Sequence, residues 1–156
     1  MHVLDHIQKL SPERFLAIYS SLENKGYGPL DGEVAKSLHF RPVAIKKLPM
    51  AQRAKRARML LEASRNSELA YELVGTYLMK TCKEMVTGFL DATGVKHENG
   101  MIEDIEQAKP AAEKIAPAVL ELDSKFAPED VTLYLVIASE QWPMVEEIGK
   151  VLASRV

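Results

Sequence analysis

Between Leu69 and Leu90 the apolar side chains return at three- and four-residue steps, through Leu73, Tyr77, Leu78, Cys82, Met85, Val86 and Phe89. That is the helical period, sustained for about seven turns, and a chain carrying it cannot lay the segment out as a sheet. The stripe predicts a long central helix over about 67–93, starting near Asn66 or Ser67. Gly94 closes it, because glycine adopts the left-handed conformation that commonly follows a helix end. Gly75 and Gly88 each weaken the interior by up to about 1 kcal/mol relative to alanine and mark a close helix crossing or a break. Cys82 falls on the stripe with Met79 and Met85 nearby, the setting of an inert core thiol.

The other segments repeat the helical pattern. Met1 to Leu10 reads as a short helix. In Ser11-Pro12-Glu13 the serine caps a helix, the proline sits where its missing N–H is not needed, and the acid meets the positive helix end. Phe15, Leu16, Ile18, Tyr19 and Leu22 then form one broad apolar face. His97-Glu98-Asn99-Gly100 is a turn, Ile102 to Gln107 reads as a short acidic helix, and Pro110 can open the next one. Pro117, set among Ile115, Val119, Leu120 and Leu122, predicts a kink or a split. Pro128-Glu129-Asp130 starts a helix whose continuation, Val131 to Ile137, is apolar nearly all round and therefore buried. A final amphipathic helix passes through Met144, Val145, Ile148, Val151 and Leu152. Hairpin patterns are nearly absent, so the expectation is an all-α chain, one helical domain over 1–156 with about six to eight helices.

Composition sets the outer bounds. A content of 47% hydrophobic and 27% charged residues belongs to a packed globular chain rather than a disordered one. The 156 residues can bury roughly two thirds of their unfolded surface without a covalent staple. One cysteine offers no internal disulfide and no zinc-site spacing, which points to a reducing compartment and a cytoplasmic location. The run Leu133 to Ala138 is far short of the roughly 20 apolar residues a membrane helix needs. MHVLDHIQKLSPERF lacks a basic stretch followed by an apolar one, so neither a signal peptide nor a membrane partner is expected.

A net charge of -2 conceals a strong asymmetry. From Lys36 to Arg58 there are eight basic residues, Lys36, Arg41, Lys46, Lys47, Arg53, Lys55, Arg56 and Arg58, and no acidic one, whereas Glu98 to Val156 carries twelve acidic against five basic. The two tracts either face each other, within the fold or between subunits, or the basic one attracts an anionic partner such as nucleic acid. The helix over Met50 to Ala63 puts Met50, Ala54, Ala57 and Leu61 on one face, with Arg53 and Arg56 on one shoulder and Lys55 and Arg58 on the other.

Within this tract, "DGEVAKSLHFRPVAIKKLP" (31–49) divides into a short helix from Glu33 to Leu38, a turn at His39 to Arg41, and a second helix from Pro42 to Leu48. Val34-Ala35-Lys36-x-Leu38-x-Phe40 followed by Ala44-Ile45-x-Lys47 resembles helix-turn-helix DNA-binding proteins, including small phage repressors. The resemblance implies a second helix able to enter a major groove, with Arg41, Lys46 and Lys47 near bases or phosphates and the basic helix beyond adding phosphate contacts. The same residues also suit a helical hairpin in which Val34, Leu38, Phe40 and Ile45 serve the core.

Little else suggests chemistry. His2 and His6 stand one helical turn apart with Asp5 between, a chelating spacing but only two ligands at a terminus. Asp91, His97, Glu98, Glu103 and Asp104 gather around two glycine turns, where carboxylates beside a histidine can bind a divalent ion or move protons, and where capping and solvation also explain them. There is no glycine-rich phosphate loop, no His-Glu-x-x-His and no serine elbow, so no cofactor is implied. The sequence therefore reads first as a non-catalytic helical module that binds a protein partner or itself, then as a nucleic-acid binder, and only distantly as a small enzyme.

Overall fold

A computed structural model describes residues 2–24 and 46–156. The fold is all-α. Among the described residues there are eight helices and no strand: α1 (Val3–Lys9), α2 (Pro12–Asn24), α3 (Met50–Ser64), α4 (Ser67–Thr81), α5 (Lys83–Ala92), α6 (Ala112–Lys125), α7 (Pro128–Gln141) and α8 (Glu146–Ala153). Among these, no helix is long and apolar enough to cross a membrane. Contacts group the residues into two units, Val3–Tyr77 and Leu78–Val156 together with His2.

In the first unit α3 packs on α2 and on α1. Ala54 and Ala57 are small side chains on the buried side of α3, which permits close approach, and Leu61 completes that face. α2 answers with Phe15, Ile18, Tyr19 and Leu22, all buried, the Phe15 and Tyr19 rings stacked with centroids 6.4 Å apart. The Ser11 hydroxyl accepts the Arg14 amide at 3.1 Å, the capping role its position before Pro12 predicts.

In the second unit α7 is the core helix, with Val131 and every residue from Leu133 to Ala138 buried. α6 packs against α5, α7 and α8, and the Phe89 and Tyr134 rings meet edge to face at 5.0 Å. Trp142 is wholly buried and its indole N–H donates to the Ile105 carbonyl at 2.9 Å. Arg155 grips both carboxylate oxygens of Asp123 at 2.7 and 2.8 Å and also reaches the Thr132 hydroxyl and the Pro128 carbonyl. The hydrogen bonds to Asp123 hold the Arg155 pKa above its ordinary value.

Four expectations change. The helix over 67–93 is two helices, interrupted at Cys82, whose φ of -120° and ψ of 29° leave the helical region. The break falls at neither Gly75 nor Gly88. Leu73, Val74 and Tyr77 are buried in the first unit and Leu78, Met85, Val86, Phe89 and Leu90 in the second, so the stripe serves two sets of neighbours, and the break comes one turn after the change from one to the other. Cys82 is accordingly half-buried ahead of α5 rather than set in the core. Residues 102–107 make turns instead of a helix, because the Asp104 carboxylate takes the amides of Glu106 and Gln107 at 3.1 and 3.2 Å. Pro117 splits nothing, since α6 runs unbroken from Ala112 to Lys125 and keeps Ile115, Ala118, Val119 and Leu122 buried.

Two turns form as their residues predict. At the end of α5 the Val95 amide reaches back to Leu90 (2.8 Å) and the Gly94 amide to Asp91 (3.3 Å), with Gly94 at φ 76°. This is the paired bonding in which a left-handed residue satisfies the last helical carbonyls. At Asn99 and Gly100, φ values of 52° and 86° fold the chain so tightly that Glu98 and Met101 exchange both backbone hydrogen bonds at 2.9 Å.

Candidate functional site

The basic tract is divided by where α3 points its side chains. Lys36 and Arg41, and residues 31–45 of the helix-turn-helix-like segment, lie outside the described residues. Lys46 and Lys47 form an exposed turn that leads through Pro49 into α3. Arg53 turns inward and pairs with Glu23 of α2 at 2.5 Å, both side chains close to nine-tenths buried. Arg58 turns inward on the other side. Its guanidinium donates to the carbonyls of Ile7, Gln8 and Leu10 at 3.0, 3.1 and 2.8 Å, capping the carbonyl end of α1. It also meets the Glu62 carboxylate at 3.1 Å and sits 5.7 Å above the Phe15 ring.

Lys46, Lys47, Lys55 and Arg56 behave differently. All four are exposed, and among the described residues none of their side chains has a hydrogen bond or ion pair. Of the six cations of the tract that fall among the described residues, two thus build the first unit and four remain available to a ligand. Arg53 and Arg56 stand on one side of the buried face of α3 and Lys55 and Arg58 on the other, as expected, and each pair divides by depth. At about 100° per residue, Arg53 and Arg58 stand about 70° from the line through Ala54, Ala57 and Leu61, whereas Lys55 and Arg56 stand about 130° away.

Beside Lys55 a groove of about 610 Å³ runs between α2 and α3. Phe15, Leu16, Ala54 and Met59 give it apolar walls, and Pro12 and Ala51 line one end. Met59 is 49% exposed, one of six large apolar side chains at the surface of the described residues. Glu13, Lys55, Arg58 and Glu62 edge the groove, and Glu62 is already engaged by Arg58. Sequence periodicity gave no indication of it, because every lining residue also suits an ordinary amphipathic face.

The second cluster is brought together in part. His97, Glu98, Glu103 and Asp104 line a pocket of about 490 Å³ in the second unit, with Lys96 and Lys109 among its other walls. Asp91 joins through a 2.6 Å bond to His97 Nε2. His97 Nδ1 accepts the Gly100 amide at 3.0 Å, which places the ring proton on Nε2, facing Asp91. Both nitrogens of His97 are therefore spent on holding the Asn99-Gly100 turn against the end of α5. Glu98, Glu103 and Asp104 are exposed, and Asp104 is occupied with backbone amides. Among the described residues, no group of three or more His, Cys, Asp or Glu side chains is arranged to hold a metal ion.

The terminal histidines have unlike surroundings. His6 is buried in α1, and desolvation, aided by the charge of Lys9, pushes its pKa below the usual histidine value. His2 is largely exposed and lies 3.4 Å from Glu140. A neutral, buried imidazole acts here as a packing group.

Comparison of the chain with protein-family models, with curated proteins and with solved structures finds no match.

Proposed function

We propose that the chain is a non-catalytic helical module that binds another protein through the outward side of α3. The observation that carries this reading is the set of four exposed cations without side-chain partners on and just before α3, Lys46, Lys47, Lys55 and Arg56, of which Lys55 lines the groove together with the half-exposed Met59. Protein interfaces combine an apolar, adaptable centre with a polar, charged rim, and methionine suits the centre because it repacks easily. His97, with both ring nitrogens committed inside the fold, lends a catalytic role no support. The lone Cys82 favours a reducing compartment, the cytoplasm, as the place of work.

The test is quantitative affinity capture with the wild type and with Lys46→Glu/Lys47→Glu/Lys55→Glu/Arg56→Glu. Reversal of four exposed charges leaves the fold intact, so the reading expects an unchanged melting curve and loss of a defined set of acidic proteins. An identical capture profile for the two proteins refutes it.

A second reading, nucleic-acid binding, is favoured by one observation: Lys46 and Lys47 are exposed and unpaired at the end of the segment that resembles a helix-turn-helix. It expects duplex affinity to fall by orders of magnitude between about 50 and 200 mM salt and to vanish in Lys46→Ala/Lys47→Ala. Equal duplex affinity in that variant removes it.

A further inference from the structure

We infer that Asn99 is a modification site, a residue that deamidates through a succinimide at a rate set by the latch that Asp91 and His97 place on its turn. Of the chain's three asparagines, Asn24, Asn66 and Asn99, it is the one followed by glycine. Glycine has no side chain to shield its backbone nitrogen, so that nitrogen can approach the carboxamide carbon of the residue before it. The fold keeps glycine at this position for two reasons. Its φ is 86°, and a Cβ there would stand 2.9 Å from Met79 Cε. The Asn99 side chain is exposed, and among the described residues no hydrogen bond holds its carboxamide. Asn66, by contrast, has its side-chain oxygen engaged by the Leu69 amide at 3.0 Å.

The reaction balances with water alone. Gly100 N attacks Asn99 Cγ, its proton leaves with the departing ammonia, and a cyclic succinimide remains. Water then opens the ring at either carbonyl, giving aspartate or isoaspartate at 99. Either product adds a carboxylate next to Glu98, which lines the pocket of about 490 Å³. Isoaspartate also inserts a carbon into the backbone, and a turn as tight as that from Glu98 to Met101 cannot keep its pairing with a longer chain.

The turn holds this reaction back. Asn99 has a φ of 52°, in the left-handed region, where ψ is about +47° and Cβ stands nearly opposite the following nitrogen across the Cα–C bond. Gly100 N reaches Cγ only after that peptide rotates. Three hydrogen bonds oppose the rotation: two between Glu98 and Met101 at 2.9 Å, and one from the Gly100 amide to His97 Nδ1 at 3.0 Å. The Asp91 carboxylate, 2.6 Å from Nε2, keeps the ring proton on that nitrogen and so leaves Nδ1 able to accept. Deamidation therefore proceeds through brief local opening of the turn, and loss of the latch raises the open fraction.

The experiment follows deamidation in the full chain held at neutral pH and body temperature, by mass spectrometry of the tryptic peptide that carries Asn99, with isoaspartate read by enzymatic methylation. The same chain unfolded in urea gives the rate without the turn. The inference expects conversion at Asn99 in the folded chain, slower than in urea, and no signal in Asn99→Gln. His97→Ala and Asp91→Ala should each accelerate conversion about two- to tenfold, the weight of one hydrogen bond in the opening equilibrium. Amide exchange read by NMR should quicken at Gly100 and Met101 in both variants while α7 keeps its protection. No conversion at Asn99 while the urea sample converts overturns the inference, and so does a folded rate equal to that in urea. An unchanged or slower rate in either variant overturns the latch, since His97 then holds nothing back or supplies a base instead. Acceleration with equal loss of protection in α7 overturns it as well, because the opening is then that of the whole unit.

Discussion

Arg58→Ala should cost far more than a surface arginine. Its guanidinium closes three carbonyls at the end of α1, pairs with Glu62 and covers the Phe15 ring. Hydrogen bonds from a charged donor contribute about 1.5–3 kcal/mol each when dry. The side chain keeps 17% of its exposure and α1 ends near water, so water replaces part of each bond. Discounting for that and for non-additivity leaves a loss of about 2–4 kcal/mol. For a chain of this length the midpoint falls by about 2–4 °C per kcal/mol, hence by about 5–15 °C in all. Arg58→Lys keeps the charge but replaces a planar fork by a point, and should recover roughly half. Thermal melting followed by circular dichroism gives the midpoint, and amide exchange gives the location: Val3 to Leu10 should lose protection first, since α1 is what Arg58 holds. A midpoint within about 1 °C of wild type, with unchanged exchange in α1, would refute the structural role of Arg58 and return it to the pool of free cations.

Arg53→Met leaves Glu23 charged against a dry surface and should lower stability by about 3–5 kcal/mol, while Arg53→Met/Glu23→Gln should recover most of it; denaturant titration of the cycle decides, and an additive double variant contradicts the pairing. His6 titrates below its unfolded value because it is buried, so the unfolded chain binds its proton first and stability drops as pH falls below about 6.5, by up to about 1.4 kcal/mol per pH unit. Melting at pH 7.5 and 5.5 should show a smaller drop in His6→Gln, and an equal drop rejects His6 as the source. Gly94→Ala forces a side chain into φ 76° and should cost about 1–2 kcal/mol, measured by the same melts; no loss would mean that the turn relaxes.

Much of the fold is legible from residues acting locally. Proline followed by an acid at Pro12 and at Pro128 starts α2 and α7 at those residues, and Gly94 ends α5, because each choice is made by the backbone within a few residues. The break at Cys82 is not legible, since the apolar stripe runs on through it and neither Gly75 nor Gly88 marks the place. Residues 102–107 mislead for a different reason: acidic composition near a proline looks helical until one carboxylate, Asp104, claims the amides. For the candidate site, the basic tract is plain in the sequence, and the angle of each cation from Ala54, Ala57 and Leu61 already separates Arg53 and Arg58 from Lys55 and Arg56. What they bind is not, because the Ile7, Gln8 and Leu10 carbonyls lie 48 to 51 residues from Arg58 in the chain. The convergence of His97 with Asp91 is likewise suggested by spacing, but that both ring nitrogens are spent on the turn emerges only from geometry.

The central claim is that the cations left free on and before α3 serve a protein partner. The most direct measurement is a polarisation titration of the wild type at about 50 mM salt against a mixed-sequence duplex, run beside affinity capture with the wild type and the four-charge reversal. No saturable duplex binding, with acidic proteins captured by the wild type and lost by the reversal, is the predicted result. Tight duplex binding with an identical capture profile for the two proteins contradicts the account and transfers Lys46, Lys47, Lys55 and Arg56 to a phosphate backbone.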